Sequence, residues 1–433
     1  MQFQSYQKYK PSGIDWLGEI PEGWEVRRVK DIFNLITDKA PSGNNIQLLS
    51  IYTEMGVKPR SEMEARGNKS VTTDEYWIVK KGDFIVNKLL AWMGAIALSN
   101  YNGVTSPAYD ILRKKIKVNE KYYEFLFRTK LAQSEFKRNS RGIMDVRLRL
   151  YFDKFGAISV PIQDFKTQTA IADYLDKHTT LIDKKIELLK AKKQSYLELK
   201  QTLINDVVTK GLDETVEMKD SGIEWIGQIP KHWEVKRLKD CVKKFVGGGT
   251  PDTIIEDYWA ENEENGYLWI SIADITNSEI IETTKNFITT IGLKNSSTNL
   301  IEPYTILFSI YASLGKVAIC SKISTTNQAI IAIYENEKII HKKYMIYFFK
   351  FLEQHISSFG NANTQNNISL NILKRIFFAL PPKSEQIAIA NYLDEKTSKI
   401  DQIIKKIDEN ILALQEFRKT LINDVVTGKV KVI

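Results

Sequence analysis

One stretch of the sequence occurs twice and limits the possible folds more than any other feature. Residues 165–210 and 383–428 align without a gap at a spacing of 218, and both contain the run TLINDVVT. In each copy an apolar residue recurs every seven positions, which is typical of a long helix with a coiled-coil seam. The seam residues are Leu175, Ile182, Leu189, Tyr196 and Leu203, and then Leu393, Ile400, Ile407, Leu414 and Leu421. The repeat therefore predicts two matched helices that pair as an antiparallel coiled coil.

A second repeat opens each half of the chain. Residues 12–31 read SGIDWLGEIPEGWEVRRVKD, and residues 221–240 read SGIEWIGQIPKHWEVKRLKD. The chain is therefore an internal, pseudo-twofold duplication. We expect an opening segment (1–24), a globular domain (25–160), a helical region (161–211), a repeated opening segment (212–233), a second globular domain (234–380) and a second helical region (381–433).

Prolines and glycines indicate where the long helices begin and end. Each globular domain is predicted to end at a proline just before its helix, Pro161 in the first half and Pro381-Pro382 in the second, because proline suits a stiff helix entry. Gly211 and Gly428 are expected to stop the two helices, since glycine readily adopts the left-handed conformation that follows a helix end.

The two globular domains are predicted to be mixed α/β (α+β) with many short strands. Alternating or β-branched runs between turn residues predict the strands, and helical patches follow them. The predicted strands are 84–90, 94–100 and 109–115, and then 267–275, 305–313, 316–321 and 328–334, and the predicted helices are 120–138 and 342–359.

Charge is distributed unequally between these domains. The chain has 61 Lys and Arg against 53 Asp and Glu, a net charge of +8, which favours a polyanionic partner. Residues 25–160 contain 24 basic and 15 acidic side chains, whereas residues 234–380 contain 15 of each. The basic excess therefore belongs to the first domain, and two nucleic-acid sites in this chain would differ in charge.

Few patterns in the sequence indicate catalysis, a metal site or a membrane segment. The histidines (His178, His232, His341 and His355) have no companions at metal-like or triad-like spacing, and Cys241 and Cys320 form no CxxC motif. The glycine-rich run 247–251 has no following lysine, so it predicts a turn and not a phosphate-binding loop. No apolar run approaches the roughly 20 residues of a membrane span, and the first residues lack a signal peptide. We therefore expect a cytoplasmic binding protein and not an enzyme.

The duplication itself suggests how such a protein would bind DNA. About 42 helical residues at 1.5 Å each extend roughly 60 Å, which would allow two different domains to contact two patches along one duplex. That arrangement predicts a bipartite, asymmetric recognition site. The repeated helices also present two near-equivalent surfaces, which suits two copies of one partner subunit.

Several motifs resemble the specificity subunit of Type I restriction–modification systems. They are the two opening motifs, NKLLAWMGAIALSNYNGVTSPAYDIL (87–112), GGGTPDTIIEDYW (247–259), WISIADI (269–275), GLKNSST (292–298), and FSIYASLGKVAI (308–319) followed by TNQAI (326–330). The resemblance implies two target-recognition domains alternating with two conserved helical regions. It also implies that the subunit has no activity of its own. Two methyltransferase (modification) subunits would bind the helical regions, and restriction (motor-nuclease) subunits would join them. S-adenosylmethionine, ATP and Mg would belong to those partners.

Candidate DNA-contacting residues follow from the chemistry of base and phosphate recognition, which uses Arg, Lys, Asn and Gln. In the first domain these are Lys58, Arg60, Arg66, Lys69, Lys88, Arg141, Arg147 and Arg149. The second domain has Tyr311, Lys316, Asn327 and Gln328, and also Asn363, Gln365 and Asn366 in a polar loop that takes the place of NSRGIMD in the first domain. A neutral second domain would rely on amide contacts to bases.

Three other interpretations stay open on the sequence alone. The chain could be the specificity subunit of a methylation-only complex without a nuclease, and nothing in the chain separates these two systems. It could be a coiled-coil scaffold with two protein-binding domains, against which the basic first domain argues. It could also be an enzyme whose site lies in the variable domains, which the missing catalytic patterns disfavour.

Overall fold

The chain folds into two compact units, each assembled around halves of the two long helices. The computed structural model describes residues 4–62, 73–142, 148–356 and 367–432. One unit comprises residues 1–190 and 408–433, and the other comprises residues 191–407. The long helices span Phe165–Lys210 and Lys383–Val426, so each unit contains the beginning of one helix and the end of the other.

The first unit contains short strands, short helices and the predicted first globular domain. Its strands are β1 (Tyr9–Pro11), β2 (Glu19–Pro21), β3 (Glu25–Arg28), β4 (Phe33–Ile36), β5 (Leu49–Tyr52), β6 (Gly56–Pro59), β7 (Trp77–Val79), β8 (Phe84–Asn87), β9 (Ile96–Leu98), β10 (Gly103–Thr105), β11 (Tyr109–Lys114) and β12 (Ser159–Ile162). Its helices are α1 (Val29–Ile32), α2 (Glu120–Phe127), α3 (Lys130–Asn139), α4 (Phe152–Phe155) and the start of α5 (Phe165–Lys210), with single 3₁₀ turns at Arg60–Glu62 and Ala91–Met93.

The second unit repeats this order with additional elements. Its strands are β13 (Met218–Asp220), β14 (Gln228–Pro230), β15 (Glu234–Arg237), β16 (Val242–Gly247), β17 (Trp259–Ala260), β18 (Tyr267–Ile270), β19 (Ile280–Ile281), β20 (Asn286–Ile288), β21 (Ile306–Ser309), β22 (Val317–Cys320), β23 (Ser324–Thr326), β24 (Ile330–Glu335) and β25 (Phe377–Leu380). Its helices are α6 (Leu238–Cys241), α7 (Ile272–Asn277), α8 (Thr290–Lys294), α9 (Lys342–Leu352), α10 (Leu370–Arg375) and the start of α11 (Lys383–Val426), with 3₁₀ turns at Glu256–Tyr258 and Glu263–Asn265.

The main sheets of the two units have the same strand order. In the first unit the order is β4-β11-β8-β9, and every pair is antiparallel. In the second unit the order is β16-β24-β21-β22-β19, where β19 is an added parallel edge strand. Strands β3 and β12 pair beside the first sheet, as β15 and β25 do in the second unit. The shared topology supports an internal duplication although the domain sequences have diverged.

Equivalent ion pairs join the two long helices within each unit. In the first unit the Arg418 guanidinium donates to both carboxylate oxygens of Asp183, at 2.8 and 3.1 Å. In the second unit the Lys200 ammonium donates to both oxygens of Asp401, at 2.7 and 2.8 Å. Both partners of one pair lie 218 residues from those of the other. Helices that run antiparallel in a common register bring these positions together twice.

The predicted seam is buried most completely where it meets a globular domain. Leu175, Ile182, Leu393, Ile400, Ile407 and Leu421 are buried, and Leu189, Tyr196, Leu203 and Leu414 are half-buried. At the end of α5, Ile204 and Val208 are buried and the seam residue Leu203 is only half-buried, whereas the equivalent Leu421 of α11 is buried. A departure of this kind at one helix end is expected, because an ordinary helix turns every 3.6 residues and drifts from a period of 3.5.

Buried glutamines attach each globular domain to the beginning of its helix. Gln168 accepts a hydrogen bond from the Asn119 N–H at 2.7 Å and donates to the Gln163 carbonyl at 2.8 Å. Gln386 lies 218 residues later and accepts from the His341 N–H at 2.7 Å. Buried side chains that form hydrogen bonds of this kind hold a domain in one orientation, because few other orientations would pair the same buried groups.

Each opening segment packs against the end of a long helix. Gly211 follows α5 with a φ of +78°, and a Cβ atom there would lie 3.1 Å from the Trp233 ring. Gly428 follows α11 with a φ of +80°, and its Cβ would lie 2.5 Å from Pro21 and 3.1 Å from Trp24. Only glycine provides both the left-handed conformation and the space.

Some predicted elements differ from the structure. The strand predicted at 267–275 ends at Ile270, because Ser271 and Asp274 form a capping box that starts α7. The helix predicted at 120–138 is interrupted at Arg128 and Thr129, where the Thr129 side chain caps α3. The helix predicted at 342–359 ends at Leu352.

The entry into the first long helix also differs from the prediction. Pro161 lies within β12 and not at a helix entry. Instead the Asp164 carboxylate, directly before Phe165, accepts the Thr167 N–H at 3.0 Å and caps α5.

Candidate nucleic-acid interface

The segments that follow the two polar loops compared in the sequence contact their domains at equivalent places. In the first unit the Leu150 N–H donates to the Lys88 carbonyl at 2.8 Å. In the second unit the Ile368 N–H donates to the Ile310 carbonyl at 3.2 Å. Lys88 and Ile310 each follow directly the equivalent strand of the main sheet, β8 or β21. The segment after each polar loop therefore lies beside the turn that follows this strand.

In the first unit, the polar side chains near the turn after β8 are mainly arginines. Arg141 and Arg149 form an antiparallel bridge with N–H to carbonyl distances of 3.0 and 2.9 Å. Both side chains are exposed, and the Arg141 guanidinium also contacts the exposed Asp153 carboxylate at 2.8 Å. An exposed ion pair of this kind contributes only about 0–1 kcal/mol, so the guanidinium can exchange it for a phosphate or a guanine edge.

Two further contacts in this part of the first unit were not selected from the sequence. The Tyr151 hydroxyl lies 3.5 Å from an Nη atom of Arg149, only two residues away. The Lys137 ammonium lies 5.0 Å from the centre of the Trp92 ring, and because these two residues are 45 positions apart the sequence contains no local signal for their contact.

Lys88 is engaged inside the domain. Its ammonium lies 3.1 Å from an Asp110 carboxylate oxygen and donates to the Pro107 carbonyl at 3.0 Å. Both side chains are largely buried. Burial raises the pKa of the Asp110 carboxyl, and the nearby Lys88 ammonium opposes that rise. The structure thus supports a role for Lys88 in holding the loop before β11, because its charge is already neutralised.

The remaining predicted residues of the first domain are separate from this arginine pair in sequence. Lys58 lies in β6, and Arg60 begins the following 3₁₀ turn; both side chains are half-buried. Arg66, Lys69 and Arg147 lie outside the described residues. The expected cluster around 58–69 thus stays a prediction.

In the second unit, amide and hydroxyl groups lie near the turn after β21. Tyr311 forms a bridge with Asn367 and is 43% exposed, and the next residue, Ala312, has a φ of +58°. The Ile310 N–H donates to the Ala329 carbonyl at 2.9 Å, so Gln328 lies near this turn. Left-handed backbone at a non-glycine residue carries strain that is often associated with functional turns.

The other predicted residues of the second domain have partners or lie outside the described ranges. Lys316 is paired with Glu353 at 2.6 Å. The Asn327 side-chain oxygen accepts the Ala329 N–H at 3.2 Å, and the Gln328 side chain accepts the Thr250 hydroxyl. Asn363, Gln365 and Asn366 lie outside the part of the chain that the structure describes.

The glycine-rich run serves packing within the second unit. A Cβ atom on Gly248 would lie 2.1 Å from the Asn327 carbonyl oxygen, and one on Gly249 would lie 2.3 Å from the Ser297 hydroxyl. The Trp269 indole N–H donates to the Gly249 carbonyl at 3.0 Å. These glycines allow backbone segments of the domain to approach each other, which agrees with the predicted turn.

The two cysteines are buried and protonated at neutral pH. Burial raises the pKa of the Cys241 thiol to about 11 and also raises that of Cys320, so neither is a reactive thiolate. Within the described residues, His, Cys, Asp and Glu side chains form no group of three or more with metal-binding geometry. Among the same residues, no helix has the length and apolar character needed to cross a membrane.

Known proteins share both the sequence pattern and the fold. The chain matches a family described as Type I restriction modification DNA specificity domain over residues 21–197 and again over 230–413. It is 26% identical over 454 aligned residues to the Type I restriction enzyme MjaVIII specificity subunit of Methanocaldococcus jannaschii, covering 100% of this chain and 98% of the relative. It is 24% identical over 456 residues to the putative type I restriction enzyme MjaX specificity subunit of the same organism, covering 100% of this chain and 99% of the relative.

Solved structures are similar in fold at low sequence identity. A chain from a structure of the type I R-M system that concerns complex assembly and conformational transition has a TM-score of 0.73 at 15% identity. That superposition covers 94% of this chain and 98% of the other. The HsdS subunit from Thermoanaerobacter tengcongensis has a TM-score of 0.57 at 15% identity, covering 95% of this chain and 98% of that one.

Proposed function

The chain belongs to the family of Type I restriction–modification DNA specificity subunits, and from this premise we propose that each globular domain reads one half of a bipartite, asymmetric DNA site. The observation that supports the proposal is that the segments following the two polar loops lie beside the turn after β8 in one unit and the turn after β21 in the other. One place is lined by arginines and the other by amides and a tyrosine. Two recognition surfaces of unlike chemistry on one duplicated scaffold suit two unlike half-sites.

The chemistry of each surface suggests how it recognises DNA. Arg141 and Arg149 can neutralise phosphates or bind guanine in a bidentate manner, whereas Gln328 and Asn327 suit adenine edges. Tyr311 adds an aromatic ring that can pack against a base or sugar. The charge difference between residues 25–160 and 234–380 implies that the first domain contributes more of the salt-dependent affinity.

The long helices have two proposed roles. Their length would set the number of base pairs between the half-sites, and their outer faces would bind two adenine-methyltransferase subunits. Restriction subunits would join this assembly in the cytoplasm. S-adenosylmethionine, ATP and Mg would be bound by those partners, so the chain itself would contribute recognition and not catalysis. The repeated ion pairs between α5 and α11 support equivalent pairing of the helices in both units.

Mapping of methylated adenines tests this function directly. The chain would be expressed with its methyltransferase partner, and methylated positions would be located across the host DNA. We expect a split motif with two different halves and a fixed gap. A continuous or palindromic motif would contradict two-domain recognition.

A second experiment tests the spacer role of the helices. Four residues inserted after Ala191 would lengthen α5 by about 6 Å, so the gap should grow by a base pair or more while both half-sites stay the same. Altered half-sites would contradict this role.

A further inference from the structure

An open groove lies between the globular domain and the helix segments of the first unit. We call it the domain–helix groove; its volume is about 1210 Å³. Its walls come from the loop after β5, from α2 and α3, and from the segments of α5 and α11 that belong to this unit. Residues that line it include Thr53, Arg128, Asp183, Glu187, Glu416 and Arg418.

Two guanidinium groups face this groove. Arg128 donates from one nitrogen to the carbonyls of Thr53 and Glu54, at 2.6 and 3.1 Å. Burial lowers the pKa of the Arg128 guanidinium, and the nearby positive charge of Arg418 lowers that pKa further. The Glu124 carboxylate acts in the opposite direction and raises the pKa. No carboxylate of the described residues forms an ion pair with Arg128 within 4.0 Å. In the part of the chain that the structure describes, this partly buried cation therefore has carbonyl partners and a nearby Glu124 carboxylate but no direct ion pair, and a ligand carboxylate could supply one.

The second unit fills the equivalent place with its own carboxylate. Lys350 corresponds to Arg128, since each lies six residues after the equivalent buried tyrosine of α9 or α2. Lys200 corresponds to Arg418 at the spacing of 218. Here the Lys350 ammonium donates to Glu279 at 2.7 Å. The cavity that remains beside these side chains is only about 370 Å³.

Electrostatics support this reading of Glu279. The Glu279 side chain is largely exposed. Partial desolvation acts to raise the pKa of its carboxyl, but the ammonium groups of Lys350, Lys200 and Lys316 outweigh that effect and hold the pKa below the usual value. The carboxylate is thus stabilised by a group of cations. Glu279 follows α7, a helix for which the described part of the first unit has no counterpart.

Within the described residues, the duplication therefore repeats the cations of this place but not the ion pair that Glu279 forms with Lys350. Resting on the proposed function, we propose that the domain–helix groove receives an acidic side chain of the methyltransferase subunit that docks on the first unit, at the position that Glu279 occupies in the second. The carboxylates of Glu54, Glu124, Asp176, Asp183, Glu187 and Glu416 also line the groove and would repel the many phosphates of a DNA backbone. A single carboxylate would need only the Arg128 guanidinium, because Arg418 is already paired with Asp183. Charge-assisted hydrogen bonds to guanidinium are among the stronger polar contacts.

The two units should therefore differ in how they bind a methyltransferase subunit. Two copies of the same partner would meet different surfaces, because only the first unit needs the partner's carboxylate. The copy on the first unit should depend on Arg128, and the copy on the second unit should not depend on Lys350. The two copies of the methyltransferase subunit should accordingly bind with unequal affinities.

The test is calorimetric titration of the purified methyltransferase subunit into the full chain, with native mass spectrometry to count bound copies. Arg128→Gln should weaken one of the two events by about tenfold or more, and Arg128→Lys should retain most of the affinity. The matched control is Lys350→Gln, which should leave both events unchanged. Equal affinities for all of these variants and the wild type would overturn the inference.

A second pair of variants avoids the buried arginine. Thr53 is exposed at the edge of the groove, so Thr53→Glu would add an internal carboxylate like that of Glu279, and Thr53→Gln is its neutral control. We expect Thr53→Glu, but not Thr53→Gln, to weaken binding of the methyltransferase subunit that docks on the first unit. Identical binding by both variants would contradict the inference.

The outcomes also separate this inference from the proposed function. If Arg128→Gln weakens DNA binding but not subunit binding, the ligand is a phosphate and the inference is wrong. If the wild-type chain binds no methyltransferase subunit, the proposed function fails as well. Normal subunit binding that none of the variants affects would remove only the inference.

Discussion

Replacing Gln386 with leucine should destabilise the second unit more than an ordinary helix substitution does. The Gln386 side chain is fully buried and accepts the His341 N–H at 2.7 Å. It donates to the carbonyls of Pro381 at 2.8 Å and Ile339 at 3.1 Å. Leucine fills a similar volume but leaves one N–H and two carbonyl groups buried without these partners.

The expected magnitude follows from the number of lost hydrogen bonds. Each net loss costs about 1 kcal/mol, and an unsatisfied buried group costs about 1–3 kcal/mol. Three lost bonds should therefore lower the free energy of unfolding by about 3 kcal/mol or more. The equivalent change, Gln168→Leu, removes the bonds to Asn119 and Gln163 and should cost the first unit about 2 kcal/mol.

Hydrogen exchange with mass spectrometry measures each unit separately, which matters because a two-unit protein need not unfold in one step. Gln386→Leu should speed exchange in peptides around His341, and Gln168→Leu in peptides around Asn119. Gln194→Leu, at an exposed position of α5, is the control and should change stability by no more than about 0.5 kcal/mol. The reasoning would be refuted if Gln386→Leu and Gln194→Leu had the same effect on exchange and on urea unfolding.

Other changes test the interface and the groove. Arg141→Ala should weaken DNA binding by the assembled complex by roughly 1 kcal/mol and reduce the salt dependence of that binding. A gel-shift series at several salt concentrations would measure both effects, and an unchanged affinity would argue against an arginine contact. Lys88→Ala should lower the free energy of unfolding by about 1–3 kcal/mol, because it leaves Asp110 buried without its cation, and thermal denaturation would detect this; the double change with Asp110→Asn should restore part of the loss. Burial raises the pKa of the Glu124 carboxyl, so the folded state holds that proton more tightly than the unfolded state and gains stability as the pH falls through the folded pKa. Glu124→Gln should therefore stabilise the protein at neutral pH, with an advantage that shrinks on acidification; a pH-independent difference would contradict it.

The long helices were predictable because their signal is local and repeated. The seven-residue spacing and the shared TLINDVVT run predicted a helical region at 161–211 that ends near Gly211, and the structure has a helix at Phe165–Lys210. Gln168 and Gln386 could not be recognised in this way, because a glutamine in a helix usually faces water. Their role depends on partners 5 to 49 residues away in sequence.

The candidate recognition surfaces were predictable from the sequence only in part. The segments that follow the two compared polar loops lie beside equivalent turns, and Arg141 and Arg149 are adjacent, whereas contact of these residues with DNA stays a prediction. The engagement of Lys88 with Asp110 depends on tertiary packing, so the sequence contains no sign of it. By contrast, the short helix α7 had a usable signal, since Ser271 and Asp274 have the spacing of a capping box.

The division of the long helices between the units has a consequence for how the chain matures during synthesis. The unit that contains residues 1–190 also requires residues 408–433, whereas the other unit is one continuous stretch, 191–407. Until the final residues emerge from the ribosome, the Tyr122 hydroxyl lacks its acceptor, the carbonyl of Val426, and Trp24 lacks the close packing of Gly428. The part of the chain that is translated first should therefore complete its folding last. This order is the reverse of the usual one, in which N-terminal domains fold first during synthesis. Nascent chains should consequently expose the apolar face of α5 for most of their elongation.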